Sequence, residues 1–493
     1  MPRRLALLVL ATATGAAFLA AHGCGLRDSA HVTGARRCVS ETGSGGMCAD
    51  GRALENVLGV AATADGQSVY VAADVSDAVA TFDRERATGA LTQKVGAAGC
   101  VSETGTNGRC QDGRGLNAPN GLGVSADGRN LYAASIGSDA VVIFNRDSFS
   151  GAVTQKPGTA GCVSEPGRRR ACRRGKALNG ASDLAVSVDG KSIYVAAQLS
   201  DAVAVFDREP TTGALRQKAG TAGCISETGT SGRCQDGTAL DGVLSVAVSP
   251  DGTSVYAAST NSDAVAVFDR NPATGALSQK PGTAACISET GTRGACGDGK
   301  ALLSAAGVAV SPDGASVYVA SQHSNAVAIF DRDHTGTLRQ KPGESGCVSE
   351  TGAGTCADGS ALDGVIGIAV STDGRAVYSA SMRSDAVASF DRDRATGALR
   401  QRRGPAGCVS ETGAGPCQDG AALDFPRDVE PSADGKTLYV ASALSDAVAI
   451  LPSLPRAVSP DARKGARTTS RPARRLCSRP TGRPCPARGR PAA

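Results

Sequence analysis

The chain has 493 residues, with 52 Lys and Arg against 47 Asp and Glu, so its formal net charge is +5. A basic C-terminal stretch carries more than this excess, so the rest of the chain is acidic. No specific nucleic-acid partner is expected, and binding of the basic stretch to an anionic cell surface or to nucleic acid is left as an alternative. Hydrophobic residues make up 41% of the chain, Trp is absent and aromatic residues are 3%. Seventeen cysteines argue against the reducing cytosol.

Residues 1–24 have the features of an export signal. "MPRR" is a charged start, "LALLVLATATGAAFLAA" is apolar and "AAHGCG" is a small-residue exit. Cleavage is expected after Ala21 or Ala30. Alternatively, "AHGC" resembles a lipoprotein signal, which would attach a lipid anchor at Cys24. The protein is therefore predicted to be exported, to an extracellular, periplasmic or cell-surface location.

A repeated unit fills most of the remaining chain. Cysteine pairs begin at 38, 100, 162, 224, 286, 347 and 408, at steps of 62 or 61 residues. In the fourth unit, "LSVAVSPDG" (244–252), "TSVYAAS" (253–259), "DAVAVFDR" (263–270) and "ALSQK" (276–280) are strand-like and separated by turn sequences. Four antiparallel strands in each of seven units predict an all-β fold, a seven-bladed β-propeller over residues 30–451.

The aromatic residues keep one phase in the repeat. All seven tyrosines occupy one position, and six phenylalanines occupy another, where the seventh unit has Leu451. This regularity predicts packing between blades rather than exposed carbohydrate-binding rings. The last unit ends after its third strand, so residues around Ala30–Ala35 are predicted to supply its outer strand and close the ring.

The fifth unit carries a family resemblance. "GVAVSPDGASVYVAS" (307–321) and "NAVAIFDRDHTGTLRQ" (325–340) resemble the YVTN and lactonase-like seven-bladed propellers. The resemblance covers most of residues 55–451, with the cysteine loops as an addition. It implies the fold, and it implies lactone chemistry for this chain as one option, because some family members act on lactones of sugar acids.

The cysteine loops are predicted to be disulfide staples. Each loop has two cysteines and no histidine, which argues against a zinc cage, and the spacing is too long for a C-x-x-C redox pair. The expected pairs are Cys38 with Cys48, Cys100 with Cys110, Cys162 with Cys172, Cys224 with Cys234, Cys286 with Cys296, Cys347 with Cys356, and Cys408 with Cys417. No cofactor or metal is expected, although the recurring loop acids leave Ca²⁺ open as an alternative.

A catalytic site would need residues that break the repeat symmetry at the channel mouth. Most first strands start with Gly, whereas the third unit has Asp183, the seventh has Arg427 and Asp428, and the second has Asn120. Glu430 stands where other units have Ala or Gly. With Arg427 it would bind an anionic substrate and activate water on a lactone carbonyl. Drift in the final repeat is the alternative, and the shortage of histidine argues against an enzyme.

A binding surface is predicted on the face of the second-to-third-strand loops, which vary between units and include His323 and Arg383. The third unit adds a basic cluster for phosphate, glycan or an acidic partner. Its members are Arg168, Arg169, Arg170, Arg173, Arg174 and Lys176. Drift in the loops and a solvated charge run are the alternatives.

The stretch 452–493 differs in composition from the repeats. Ten arginines and Lys464 against Asp461 give it a net charge of +10, and it is predicted to be a disordered tail. The preferred interpretation is an exported, monomeric binding or scaffold module for a protein, glycan or small molecule. The alternative is a lactone hydrolase.

Overall fold

A computed structural model describes residues 37–165, 171–352 and 354–453. Seven β-sheets form the blades of a propeller, as predicted. The first strand of each blade packs against the first strands of both neighbouring blades around the central channel. From blade 1 to blade 7, these strands are Val57–Ala62, Pro119–Val124, Ala181–Val186, Val243–Val248, Ala305–Val310, Val365–Val370 and Pro426–Pro431.

The second and third strands form the centre of each blade and are almost wholly buried. The second strands are Ser68–Ala73, Asn130–Ser135, Ser192–Ala197, Ser254–Ser259, Ser316–Ser321, Ala376–Ser381 and Thr437–Ser442. The third strands are Ala78–Arg84, Ala140–Arg146, Ala202–Arg208, Ala264–Arg270, Ala326–Arg332, Ala386–Arg392 and Ala447–Pro452. Both pairings are antiparallel, as the Asp-Gly turns between period-two runs predict.

The outer strand is split into two segments that pair with opposite halves of the third strand. The first segments are Leu91–Gln93, Val153–Gln155, Leu215–Gln217, Leu277–Gln279, Leu338–Gln340 and Leu399–Gln401. Short 3₁₀ turns follow at Gly96–Gly99, Gly158–Gly161, Gly220–Gly223, Gly282–Ala285, Gly343–Gly346 and Gly404–Ala406. The second segments are Cys100–Ser102, Cys162–Ser164, Cys224–Ser226, Cys286–Ser288, Cys347–Ser349 and Cys408–Ser410. The first cysteine of each pair therefore lies within the edge of a blade.

The seven predicted disulfides are all present. Each loop returns through a two-residue strand that pairs in parallel with the cysteine strand. These strands are Ala49–Asp50, Gln111–Asp112, Arg173–Arg174, Gln235–Asp236, Gly297–Asp298, Ala357–Asp358 and Gln418–Asp419. Three loops also contain a 3₁₀ turn, at Gly43–Gly46, Gly105–Gly108 and Gly291–Gly294.

The loop glutamates accept hydrogen bonds from the backbone that follows each loop. The Glu41 carboxylate accepts a hydrogen bond from the Leu54 amide at 2.7 Å, and every other unit repeats this contact with the leucine at the same position. The contact fixes the path from the loop to the next first strand.

The ring is closed by a strand from the N-terminal side, as predicted. Cys38–Ser40 pairs antiparallel with the third strand of blade 7, so the first cysteine strand supplies the outer edge there. Residues 30–35 lie outside the described residues. Within the described part of the chain, no helix has the length and apolar composition needed to span a bilayer.

A second set of contacts joins the blades on the face of the second-to-third-strand loops. Each loop ends in Asp or Asn with a positive φ, and its side chain accepts a hydrogen bond from an amide of the next blade. Asp446 of blade 7 accepts from the Asn56 amide of blade 1 at 2.7 Å. The ring therefore closes by the same contact that joins the other blades.

Candidate site at the channel mouth

The channel mouth is shaped by an irregularity near the start of every first strand. In blade 7 the pairing register shifts between Pro426 and Asp428, so Arg427 is an extra, unpaired residue in a β-bulge. A bulge redirects the side chain of its extra residue. The corresponding residues in the other blades are Leu58, Asn120, Ser182, Leu244, Ala306 and Ile366.

All five predicted catalytic residues line one cavity at this mouth. Its volume is about 240 Å³, and it is lined by Asn120, Asp183, Arg427, Asp428 and Glu430 together with first-strand residues of every blade. The structure therefore brings together the positions that break the repeat symmetry. It does not by itself assign a reaction to them.

The glycines at the mouth are required by close packing of neighbouring blades. A Cβ at Gly59 would lie 2.0 Å from the carbonyl oxygen of Asn120, and one at Gly307 would lie 2.4 Å from that of Ile366. Both distances are far below a normal contact. The glycine repeat is thus a packing requirement, and the acids replace it in two blades.

Asp183 and Asp428 occupy equivalent positions in blades 3 and 7 and make equivalent contacts. Asp183 accepts from its neighbour Leu184 at 2.7 Å and from Val246 of blade 4 at 3.1 Å. Asp428 accepts from Val429 at 2.8 Å and from Val60 of blade 1 at 3.0 Å. Each carboxylate therefore joins two blades.

Burial is the main cause of the raised pKa values of these two aspartates. The pKa of Asp183 is raised to about 6 by burial, although its amide hydrogen bonds oppose the rise. The pKa of Asp428 is also raised by burial. Negative charge on Asp428 adds to the rise at Asp183, so the two acids sense each other within the cavity.

Glu430 lies one pleat further along the same strand face as Asp428. Its pKa is raised to about 8, mainly by burial and also by the nearby charge of Asp428, although a hydrogen bond from the Ala62 amide opposes the rise. Glu430 is therefore mainly protonated at neutral pH. In this form it can donate a hydrogen bond into the channel as well as accept one.

Arg427 brings positive charge to the mouth. Its Nη1 lies 2.9 Å from the Met382 sulfur, and its guanidinium carbon lies 5.9 Å from the centre of the Phe425 ring. Burial lowers its pKa, and the charge of Asp74 opposes this effect. Among the described residues, no carboxylate lies within salt-bridge distance of Arg427. A thioether is a weak acceptor, so most guanidinium donors face the cavity or solvent.

Sequence reasoning missed an apolar arc on the opposite side of the mouth. Ala306 and Ile366 form a small cluster with Met382, and Leu244 packs against it. Asn120, Ser182 and Arg427 are the polar bulge residues of the other blades, and Leu58 of blade 1 is a further apolar one between Arg427 and Asn120. The apolar arc of blades 4 to 6 therefore faces a mainly polar side of the mouth.

The predicted rim residues lie apart from this cavity. The Arg383 Nε donates to Asp363 at 2.8 Å and its Nη2 donates to Asn325 at 2.9 Å, so its charge is neutralised locally. His323 is exposed in the neighbouring loop of blade 5. Its ring is not part of the channel-mouth cavity.

The predicted basic cluster is only partly described. Arg168, Arg169 and Arg170 lie outside the described residues, whereas Arg173–Arg174 is an exposed strand. The Lys176 ammonium donates to the carbonyl oxygens of Gly220 and Arg233 and therefore anchors the following loop. In the described ranges, no three His, Cys, Asp or Glu side chains converge on a metal-sized site.

Comparison with known proteins gives a likeness of fold. No protein-family model matches the sequence, and no curated protein matches it at a significant level. The hydrazine synthase of Kuenenia stuttgartiensis has a TM-score of 0.50 and 17% identity, covering 87% of this chain and 100% of that chain.

Two lactonase structures are also similar. A candidate 6-phosphogluconolactonase from Bacteroides uniformis has a TM-score of 0.48 and 18% identity, covering 69% of this chain and 82% of that chain. The periplasmic gluconolactonase of Pseudomonas aeruginosa has a TM-score of 0.47 and 18% identity, covering 70% of this chain and 83% of that chain. The seven-bladed β-propeller predicted from the repeats is confirmed by the seven sheets of the structure, and the comparisons add a likeness of fold alone.

Proposed function

We propose that this protein is an exported binding propeller that takes a small, hydroxylated organic anion at its channel mouth. The observation that carries the proposal is Arg427, a partly buried guanidinium whose one close polar contact among the described residues is the Met382 sulfur. A guanidinium in such surroundings favours a carboxylate or phosphate, which it can bind through two parallel hydrogen bonds.

The neighbouring acids determine which other chemical groups the ligand should have. Glu430, protonated at neutral pH, can donate to a ligand oxygen, whereas ionised Asp183 can accept from hydroxyl groups, and the carboxyl group of Asp428 offers further acceptor oxygens. A ligand with several anionic groups would be repelled by these aspartates. The arrangement therefore fits one anionic group and several hydroxyls, as in a sugar acid.

The size of the cavity favours a small ligand. Its volume of about 240 Å³ is below the ~300–1,000 Å³ usual for drug-sized ligands. The apolar arc of Leu244, Ala306 and Ile366 offers a surface for the carbon face of a single sugar-like unit. The mouth opens on the face of the second-to-third-strand loops, and the seven disulfides support an oxidising compartment.

Isothermal titration calorimetry on the full chain tests the proposal with D-gluconate, D-glucuronate and neutral D-glucose. We expect the acids to bind and glucose to bind at least tenfold more weakly. Arg427→Gln should abolish acid binding. Arg216→Gln is the matched control, because Arg216 is exposed on an outer strand. Equal binding of acids and glucose, or unchanged binding in Arg427→Gln, would refute the proposal.

A second candidate, hydrolysis of a small lactone, is favoured by the separated pKa values of two acids in one cavity. Asp183 titrates near 6 and Glu430 near 8. An ionised and a protonated carboxyl group therefore coexist at neutral pH, as a general base and a general acid require. Asp183 would take a proton from the attacking water, and Glu430 would give one to the ring oxygen that leaves the carbonyl carbon.

A panel of aldonolactones and aliphatic lactones tests this second candidate. Turnover should follow a bell-shaped pH profile with apparent pKa values of about 6 and about 8, and Asp183→Asn or Glu430→Gln should each lower kcat/KM by ~10²-fold or more. Asp298→Asn, in a disulfide loop, is the control. If the wild type shows no turnover above background, the site is a binding site alone.

A further inference from the structure

The channel-mouth cavity brings three acids and one base together. Asp183 lies on blade 3, whereas Arg427, Asp428 and Glu430 lie on blade 7. Among the described residues that line the cavity from the other five blades, none has a charged side chain. If all four groups were ionised, the lining of this small cavity would therefore have a net charge of −2.

The acids are close to one another because the channel is narrow. Asp183 and Asp428 belong to blades on almost opposite sides of the ring, yet the negative charge of Asp428 raises the pKa of Asp183. A sphere with the cavity's volume of about 240 Å³ is about 8 Å across. A ligand inside the cavity therefore lies within about 8 Å of all three carboxyl groups.

Hydrogen bonds hold the acids in place. Two backbone amides donate to Asp183 and two donate to Asp428. The Ser245 hydroxyl also contacts Asp183, and the Ala62 amide contacts Glu430. Rotation away from a ligand would break these bonds, so protonation is the remaining way in which the acids can respond to an entering negative charge.

Arg427 does not remove this repulsion. Its single positive charge is the group that would bind the ligand, and Asp74, on the second-to-third-strand loop of blade 1, adds a further negative charge near it. Its other close neighbours, Met382 and Phe425, are neutral. An anion bound to Arg427 therefore still faces an excess of negative charge from the channel acids.

We propose that the channel mouth captures its anion together with a proton, which Asp183 takes up from solvent, so that binding is controlled by pH. This inference rests on the proposed function and assigns a regulation to the same site. Protonation of the Asp183 carboxylate replaces a repulsion between two charges by a hydroxyl group that can donate a hydrogen bond to the ligand.

The size of the effect follows from the dimensions of the cavity. Two negative charges ~8 Å apart, at an effective dielectric constant of ~20, disfavour each other by a factor of roughly 30. The pKa of Asp183 is about 6 in the free protein, so this acid is mainly ionised at pH 7. The repulsion is large enough to make it mainly protonated in the complex.

The other two acids do not reverse this effect. Glu430, with a pKa of about 8, already carries its proton at pH 7, and Asp428, whose pKa is also raised, responds in the same direction as Asp183. Because the complex binds more protons than the free protein, affinity must fall as pH rises above about 6.

Isothermal titration calorimetry of the full chain with D-gluconate tests the proposal without any variant. Titrations at pH 7 in three buffers of different ionisation enthalpy count the protons, and we expect uptake of ~0.5–1 proton per gluconate. Kd should rise at least ~5-fold between pH 6.5 and pH 8. Binding with the same heat in all three buffers and the same Kd at both pH values would overturn the coupling and leave the proposed function standing. No binding at any pH would overturn both.

Asp183→Asn identifies the group that takes up the proton. This variant should lose most of the proton uptake and of the pH dependence, and at pH 8 it should bind gluconate more tightly than the wild type. Asp298→Asn, at an exposed position in a disulfide loop, is the matched control and should follow the wild type. Undiminished uptake in Asp183→Asn would assign the proton to another group and refute the proposal. If that variant does not fold, the proton count of the wild type decides.

Discussion

Glu430 shows how a single residue can make the stability of the propeller depend on pH. Its pKa is 4.5 in the unfolded chain and about 8 in the folded protein. Between these values the folded state binds more protons than the unfolded state, so stability falls as pH rises. The stabilisation is complete below about pH 4.5 and is lost as pH passes through about 8. Asp183 and Asp428 act in the same direction.

Replacement of Glu430 by glutamine should remove part of this dependence, because glutamine cannot ionise. We expect Glu430→Gln to have the same Tm as the wild type near pH 5 and a Tm a few degrees higher near pH 9. Thermal unfolding monitored by circular dichroism across this range provides the measurement. Glu344→Gln, an exposed control, should follow the wild type, and a Glu430→Gln curve parallel to the wild type would contradict the assignment.

Six third strands end in a latch arginine, defined as one that donates to the tyrosine and the aspartate of the preceding blade, as Arg270 does to Tyr194 and Asp189. These arginines contribute to stability through geometry as well as charge. Lysine at position 270 would keep the positive charge but could not bind Tyr194, Asp189 and the Gly252 carbonyl together. We therefore expect Arg270→Lys to lower the free energy of unfolding by about 1–3 kcal/mol. Arg216→Lys, at an exposed position, should change it by less than about 0.5 kcal/mol.

Urea unfolding of the two variants beside the wild type provides the comparison. A small and equal effect of both substitutions would mean that the buried latch does not contribute to stability. A large effect at Arg270 alone would confirm that the fork geometry is required.

Among the structural elements, the short strands that begin with a cysteine differ in whether a second segment of the outer strand pairs with the same third strand. Cys224–Ser226 shares the third strand of its blade with Leu215–Gln217. In blade 7, by contrast, Cys38–Ser40 is the one segment of the outer strand within the described residues. The Cys38–Cys48 disulfide therefore fixes the strand that closes the ring.

Removal of these two disulfides should have unequal effects. Replacement of Cys224 and Cys234 by serine should cost about 3 kcal/mol, the value for a short loop in the chain-entropy model. The same change at Cys38 and Cys48 should cost more, because it also releases the closing strand. Urea unfolding of both double variants measures the difference, and an equal or smaller effect at Cys38 and Cys48 would contradict this account of closure.

The elements that sequence could predict are those with a strong local signal. The four segments predicted in the fourth unit begin within one residue of Val243–Val248, Ser254–Ser259, Ala264–Arg270 and Leu277–Gln279. Period-two alternation and Asp-Gly turns specify them locally. The Cys-Val-Ser strand was missed because three residues carry no measurable period, and its partner is the third strand rather than a sequence neighbour.

At the scale of the whole molecule, repeat symmetry allowed residues at the channel mouth to be predicted. Asp183, Arg427, Asp428 and Glu430 differ from their counterparts in other units, and the ring brings them to one cavity. The apolar arc could not be predicted in the same way, because Leu244 and Ile366 look like ordinary strand residues. A β-bulge, which alternation does not reveal, directs them to the mouth.

The stability of the ring also depends on pH in two separate ranges, each set by a different group of acids. The raised pKa values of the channel acids make the fold less stable as pH rises. The latch aspartates, such as Asp189 and Asp313, have lowered pKa values instead, so they stabilise the fold when the pH is above their ordinary pKa of 3.8. Their contribution is lost as pH falls through those lowered values. The propeller as a whole should therefore be most stable in mildly acidic solution.

The most direct measurement of the central claim is a crystal structure of the full chain soaked with D-gluconate. We predict that the ligand carboxylate lies within hydrogen-bond distance of Arg427, with its hydroxyls toward Asp183, Asp428 or Glu430. Ligand bound at the exposed Arg173–Arg174 strand instead, or an empty channel mouth at saturating gluconate, would contradict the account.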